Sequence, residues 1–516
     1  MAARALTAHV ASPAARATAA AVVTAAALLV LVALVVWPLA AVVVYGVPDL
    51  ARVGLAPLGA LGGTLELAAT STTITVLLGL AIAYASTRAR VFGAALTARL
   101  LLLALVLPPF LPALALRAVT AGTAAAASFP ALVLAQVLAF LPLASLILEH
   151  ALAAANGDEE DAAESLGAGR LTIFTRITLA QLRPALATAT TGIFLLCAAD
   201  LANPLVIGGD HAVLSVETYV KAVRAGDLRA GVATALWLLA PCLVAAALGG
   251  WRAGAVFTVP AAGRRPQRPT SPSVAVPLTL VTAFVTLVLA AVWTIVVVEA
   301  LVSARSADWT PLGVSVALAG AASVMGTVLA LAVAGLVERR GRGAGAVLLE
   351  RVALLPAAVP GLVLGLGCLL AYARPPINLG TTLWVLVAAV VAARLPAAAA
   401  AAMASVRRVD ADAAAAAVGL GAGRRRVFSR VVAPILAPTA ASLLVYFFVR
   451  ALVAVSVVAV LVGSPDRLAS LAAVTDAAAG RVGDGCALAA SLSVVVAVVV
   501  AFRRALPERS LTVWFL

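Results

Sequence analysis

Twelve separate stretches of this chain run for about 20 residues with almost no charge, the length a helix needs to cross the hydrocarbon core of a bilayer. They fall at 20–45, 63–86, 99–119, 128–149, 184–207, 229–250, 275–300, 313–336, 351–371, 381–403, 436–462 and 485–502. Hydrophobic residues make up 64% of the 516 positions and charged residues 11%. Soluble domains run near 45–50% and about 25%. So much apolar surface cannot be hidden inside a water-soluble core. The expected fold class is therefore an all-α membrane protein with about twelve transmembrane helices. Soluble enzymes, disulfide-built secreted domains and disordered chains are excluded. The first stretch is too long for a signal-peptide core. It ends on Trp37, Pro38 and Tyr45, which suit a membrane interface, so it counts as a span.

The charge is sided. Lys and Arg number 36 against 22 Asp and Glu, a net +14. With the N-terminus taken as cytoplasmic, 25 of the cations fall on inside segments and 9 on outside ones. Arg394 and Arg450 lie within spans. This bias predicts cytoplasmic N- and C-termini. The excess cations then face anionic lipid, and no nucleic-acid partner is needed to explain them. Cys197, Cys242, Cys368 and Cys486 sit in apolar stretches and read as packing residues. The three histidines are too scattered for a metal cluster.

The chain is also doubled. Leu166-Gly167-Ala168-Gly169-Arg170, Phe174, Arg176, Leu182 and Pro184 recur 254 residues later as Leu420-Gly421-Ala422-Gly423-Arg424, Phe428, Arg430, Leu436 and Pro438. Pro108 and Pro112 recur as Pro356 and Pro360, and Thr75-Val76-Leu77 as Thr327-Val328-Leu329. Two units follow, 1–250 and 275–516, joined by the proline- and arginine-rich linker 251–274. Six spans per unit return the chain to the same side. The halves are then parallel and related by an axis along the membrane normal.

The repeated loops, 156–183 and 407–438, carry the clearest functional pattern. In the first, Asp158, Glu159, Glu160, Asp161 and Glu164 open a short helix, where negative charge suits the dipole. Gly167 and Gly169 offer positions for positive-φ turns. Leu171, Phe174 and Ile177 then recur at steps of three beside Arg170 and Arg176. An apolar strip in a long cytoplasmic loop calls for a partner. Two copies at two-fold positions call for one with two equivalent sites. An ordinary solvated loop is the alternative.

These residues resemble the EAA motif of bacterial ABC-transporter permeases. The first copy reads Asp161-Ala162-Ala163, Gly167, Ile177 and Leu179; the second reads Ala415-Ala416-Ala417, Gly421, Val431 and Pro434 and lacks the acidic residue. The resemblance implies two fused permease units of type I importer architecture. It also implies that both loops dock on a cytosolic ABC ATPase homodimer. The expected contacts are Glu160, Asp161, Ala162, Ala163, Gly167, Gly169, Arg170, Phe174, Arg176 and Ile177 in one loop. In the other they are Ala416, Ala417, Gly421, Gly423, Arg424, Phe428, Arg430 and Pro434. Fused units are similar to ferric-iron importers, and also to thiamine, 2-aminoethylphosphonate and polyamine importers. The run Ala199-Asp200-Leu201-Ala202-Asn203-Pro204-Leu205 to Gly209, then Val213 to Tyr219, is similar to a ferric-type permease stretch. The resemblance implies an extracytoplasmic binding protein and no nucleotide or metal cofactor on this chain. ATP would be hydrolysed on the partner, since no G-x-x-x-x-G-K-[ST] loop occurs.

Charges inside spans are functional candidates by default. Asp200 and Asn203 line the transport path or satisfy a broken helix. Glu66 begins the second span. Arg450 is a candidate pathway residue with no charged counterpart in the first repeat, and pairing with a carboxylate across the two-fold is one reading of it. Gln136 is expected to bond between helices. An ion-coupled secondary transporter remains the alternative class. It would need paired buried carboxylates, in which this chain is poor.

Overall fold

The computed structural model describes residues 13–121, 123, 127–209, 211–249, 271–340, 343–373, 378–379, 382–409, 416–417, 419–462 and 468–505. Among these the fold is helical and no strand forms. The first part of the chain runs α1 (Pro13–Leu31), a π turn and α2 (Trp37–Gly46), then α3 (Leu50–Val53), α4 (Leu58–Thr87) and α5 (Ala94–Val106). It continues through α6 (Leu111–Val119), α7 (Phe129–Ala154), α8 (Gly157–Ser165), α9 (Arg170–Ile173), α10 (Leu179–Ala198), α11 (Ala202–Ile207), α12 (Leu214–Tyr219) and α13 (Leu228–Leu248). The second part runs α14 (Pro272–Ser303), α15 (Thr310–Arg340), α16 (Ala344–Leu354), α17 (Gly361–Tyr372) and α18 (Leu383–Val406). It ends with α19 (Arg424–Val427), α20 (Ala433–Leu452), α21 (Ala469–Ala478) and α22 (Val482–Ala505).

Nine of the described helices are long and apolar enough to cross a membrane, and two bent pairs raise the figure to eleven. The expected twelve is not confirmed among the described residues. Two apolar stretches are not straight helices: α5 and α6 meet at 100°, and Ala344–Ala358 meets α17 at 114°. The bends fall at Pro108-Pro109 and at Pro360. Proline withholds an amide donor and pushes the residue before it out of the α region. Leu107 and Val359 are accordingly extended. A third stretch, 184–207, breaks between α10 and α11. Hydrophobicity reports that a segment is buried in lipid or protein, not that it stays helical.

The repeat is visible in the elements themselves. α9 and α10, with the π turn Phe174–Thr178 between them, recur with identical lengths as α19, Phe428–Val432 and α20, shifted by 254 residues. Pro142 inside α7 recurs as Pro396 inside α18, and Pro184 as Pro438. The start of α12 is buried, so its amides need acceptors within the protein. The Leu214 amide donates to Thr64 Oγ1 at 2.9 Å, and Ser215 Oγ donates to the Asp200 carbonyl at 2.6 Å. At the start of α21 the Ala469 amide donates to Ser315 Oγ at 2.8 Å, and Ser470 Oγ donates to the Ala454 carbonyl at 2.6 Å. The ferric-like stretch containing Asp200 therefore has a structural counterpart in the second half, although the side chains there have diverged.

The two parts are laced together. The α1–α2 arm packs on α16, α17 and α18, and α14 packs on α4, α5 and α6. Small residues allow these approaches. At Gly367 of α17, a Cβ would stand 2.4 Å from the Pro38 carbonyl oxygen. The Tyr372 hydroxyl donates to the Ala33 carbonyl. On the other side Thr97 Oγ1 lies 2.8 Å from Thr286 Oγ1 and donates to the Thr282 carbonyl at 3.2 Å. The most buried span is α18, whose run Ala397–Ala402 is buried throughout. Large apolar side chains such as Leu29, Val44, Leu77, Leu287 and Val328 instead face outward, where lipid meets them.

Candidate functional site

Asn156 caps α8, its Oδ1 accepting the Asp158 amide at 3.1 Å. The acidic turn that follows does more than complement the dipole. Glu160 turns inward, accepts from Thr178 Oγ1 at 2.9 Å and pairs with Arg88 Nη2 at 3.4 Å. Both partners of that pair are at most 15% exposed. Glu159 accepts from Gln181 Nε2 at 2.7 Å. Two of the carboxylates thus tie α8 to the end of α4 and to the π turn and α10. Sequence reasoning missed Arg88, Thr178 and Gln181 because the contacts span 72, 18 and 22 residues.

The helix stops at a glycine. Gly167 has φ +83°, its amide donates to the Glu164 carbonyl at 2.9 Å, and the Ala168 amide donates to the Ala163 carbonyl at 3.0 Å. This is a Schellman cap, for which glycine is the unstrained residue. Gly169 was expected to turn likewise, but it is extended (φ −66°) and serves as the N-cap of α9. The cap leaves Leu166 bare, 88% exposed, with Leu171 76% exposed nearby. Asp161, Ala162, Arg170 and Arg176 are exposed, while Ala163 and Ile177 are half-buried. Phe174 packs edge-on against Tyr84, centroids 5.6 Å apart. The apolar strip is therefore split. Phe174 and Ile177 seat the loop on its own body, and the leucines point away. Phe92, beyond Arg88 on the neighbouring α4–α5 connection, is 89% exposed and was also missed.

The second loop repeats the turn. Gly421 has φ +81°, and the Ala422 amide donates to the Ala417 carbonyl at 3.0 Å. Leu420, the partner of Leu166 in the repeat, is 90% exposed. Ala416, Gly423, Phe428, Arg430 and Pro434 are exposed and Ala417 is half-buried. Arg424 starts α19. Residues 410–415, with Asp410 and Asp412, lie outside the described residues. Where Glu160, Thr178 and Gln181 stand in the first loop, the sequence has Ala414, Val432 and Ile435, so that anchor has no counterpart. Arg407 Nε instead pairs with Glu338 Oε1 of α15 at 2.8 Å.

Glu160→Ala is expected to loosen the first loop without unfolding the protein. A charge-assisted hydrogen bond contributes about 1.5–3 kcal/mol. Hydrogen exchange at the α8 amides should therefore quicken by about ten- to hundred-fold. Unchanged protection in α8 would show that the anchor is dispensable.

The interior candidates separate clearly. Asp200 Oδ2 accepts from Asn203 Nδ2 at 2.8 Å and from Gln136 Nε2 at 3.1 Å. Its Oδ1 accepts the Ala202 amide at 3.1 Å and the Asn203 amide at 3.4 Å. Gln136 also donates to the Cys197 carbonyl at 3.1 Å, bridging α7 and α10 as expected of it. Asp200 caps α11 and staples the break. Glu66 is exposed on α4. Among the described residues no ion pair reaches Arg450 or Arg394, so the reading of Arg450 as one half of a carboxylate pair finds no partner there. A central arginine costs about 2.5–3.5 kcal/mol on insertion scales, so two of them require an explanation. All four cysteines are buried and free.

No protein-family model matches the chain. Over 398 residues it is 26% identical to the ferric transport system permease protein FbpB of Actinobacillus pleuropneumoniae, covering 72% of this chain and 58% of that one. A putative ferric transport system permease protein FbpB 1 of Haemophilus influenzae is 38% identical over 91 residues, 18% of this chain and 14% of the other. The chain thus spans less than two thirds of either ferric relative. The molybdenum transport system permease protein ModB of Mycobacterium bovis is 32% identical over 192 residues, 34% of this chain and 72% of that protein.

Proposed function

The chain belongs to the inner-membrane permeases of ABC importers, and on that premise we propose that its halves, 1–250 and 275–516, together form one translocation path. The linker 251–274 joins them on the cytoplasmic side, where both termini also lie. The loops 156–183 and 407–438 dock on the two subunits of a separate cytosolic ATPase homodimer. An extracytoplasmic binding protein delivers the cargo. ATP closes the ATPase dimer, the loops move with it, and the halves rock to open the path alternately to each side. The observation that carries this reading is the pair of glycine-capped turns, one per half, each ending in a bare leucine.

Ferric iron is the leading cargo, supported by the stretch from Ala199 to Tyr219 and by the name of the relative that covers most of the chain. A molybdenum oxyanion is the second reading, favoured by the relative of which 72% is matched. The test is reconstitution of the chain in vesicles with its ATPase and binding protein. ATP-driven uptake of ferric iron but not molybdate is expected. Uptake driven by an ion gradient, with no ATPase co-purifying, would replace this reading with a secondary transporter.

A further inference from the structure

Arg394 lies eleven residues from the start of α18 and twelve from its end. At 1.5 Å per residue that is about 17 Å from either terminus, beyond the reach of a snorkelling side chain. α18 is also the span most enclosed by protein. Arg450 lies two residues before the end of α20, and the chain continues beyond it as a buried segment, with 453–455 and 457–462 all buried. The two arginines lie on helices that pack together. The Tyr446 hydroxyl, one turn before Arg450, donates to the Arg394 carbonyl at 3.3 Å, which sets the middle of α18 beside the turn of α20 that carries Arg450. Arg394 Nε is buried with no hydrogen-bond partner.

Both residues are half-buried, and two like charges on packed helices with no carboxylate paired to them repel one another, so a fold retains them only if something answers the charge. The first half shows that the fold does not need them. The equivalent positions, 254 residues earlier, are Phe140 and Leu196. Both pack against a buried cluster that Ala358 of the second half also joins, so these positions look toward the junction of the halves. A packing role is filled there by apolar side chains alone.

We propose that Arg394 and Arg450 form an anion site at the middle of the membrane domain, and that the cargo passes this level as an oxyanion or an anionic complex. The guanidinium fork matches paired oxygens of a tetrahedral anion or a carboxylate. Tyr446 holds the Arg394 backbone in place. A bare trivalent cation would be repelled here. Among the described residues no cluster of three or more His, Cys, Asp or Glu offers it a ligand set. Iron, if it is the cargo, would pass as an anionic complex. The cargo part of this inference rests on the importer reading; the anion site itself does not.

The test uses the purified full-length chain and, separately, the reconstituted complex. The probes are molybdate, inorganic phosphate and ferric citrate. On the wild-type chain, at least one probe should slow phenylglyoxal modification of Arg394 and Arg450 by fivefold or more, read by mass spectrometry. Protection by molybdate or phosphate identifies a free oxyanion; protection by ferric citrate alone identifies a complexed metal. R450Q should weaken the apparent affinity for that probe at least tenfold, with R450K intermediate. Equal modification rates with and without all three probes, or R450Q affinity within twofold of wild type, would overturn the site. If protection holds but the wild-type complex shows no ATP-driven uptake, the importer reading fails and the anion site stands. If uptake proceeds and R450Q leaves it unchanged, the anion site fails and the importer stands.

Discussion

Replacing Leu166 and Leu420 together with aspartate is expected to abolish co-purification with the cytosolic ATPase and to reduce ATP-driven uptake at least about a hundredfold. Each leucine is almost wholly exposed, at 88% and 90%. Neither contributes to the core, so the change should leave folding within about 0.5 kcal/mol of wild type. Full burial of a leucine at an interface contributes roughly 1.5–3 kcal/mol. Two equivalent leucines contribute roughly 3–6 kcal/mol, and every 1.4 kcal/mol is tenfold in affinity. Aspartate would add the cost of desolvating a carboxylate. The measurements are a pull-down with the ATPase, uptake in vesicles, and thermal unfolding as the control. ATPase binding within twofold of wild type, with both loops intact, would remove the leucines from the interface. The single variants add a further discrimination. The first loop is braced by Glu160 on Arg88 and Thr178, a bracing the sequence of the second does not provide. Leu166 is therefore presented on the more rigid support, and its replacement alone should cost more binding than that of Leu420.

The repeat, the helical class and the glycine turns were legible in the sequence because each rests on local chemistry. Gly167 and Gly421 announce a positive-φ turn by being glycine, and both adopt one. Gly169 carries the same signal but is extended, because a residue that permits a conformation does not require it. The shape of the spans was not legible for a related reason. Pro108 and Pro360 were noted as repeat markers, yet a hydropathy window does not register the bends they cause. The sites that needed long-range pairing were not legible. Glu160 finds Arg88 across 72 residues, and the approach of Tyr446 to Arg394 depends on two helices whose packing no spacing rule encodes. The similarity between the starts of α12 and α21 was nearly invisible in sequence. What is repeated there is a pair of hydrogen bonds to the backbone: a serine donates in both halves, and a threonine hydroxyl in one accepts where a serine hydroxyl does in the other.

Asp200→Ala is expected to prevent accumulation of folded protein, whereas Asp200→Asn should retain both fold and transport. The carboxylate accepts four hydrogen bonds, from the side chains of Gln136 and Asn203 and from the amides of Ala202 and Asn203. Alanine would leave these donors buried without acceptors. Each orphaned donor costs about 1–3 kcal/mol. Even partial relaxation leaves a loss on the order of 4 kcal/mol or more, a large share of a typical 5–15 kcal/mol stability. Asparagine preserves the shape and one acceptor oxygen for the two amides. Its NH2 group would face Gln136 and Asn203, whose Oε1 and Oδ1 are now buried without partners. Rotating the Asn203 amide would present its oxygen to the new donor, while Gln136 keeps its bond to the Cys197 carbonyl. The two substitutions therefore separate a cap from a charge. A cap needs acceptors in the right places and tolerates asparagine. A charged station on the transport path loses its function with the charge. Thermal unfolding of the purified chain and uptake in vesicles read the two properties independently. Normal stability with abolished uptake in D200N would move Asp200 from the scaffold to the path.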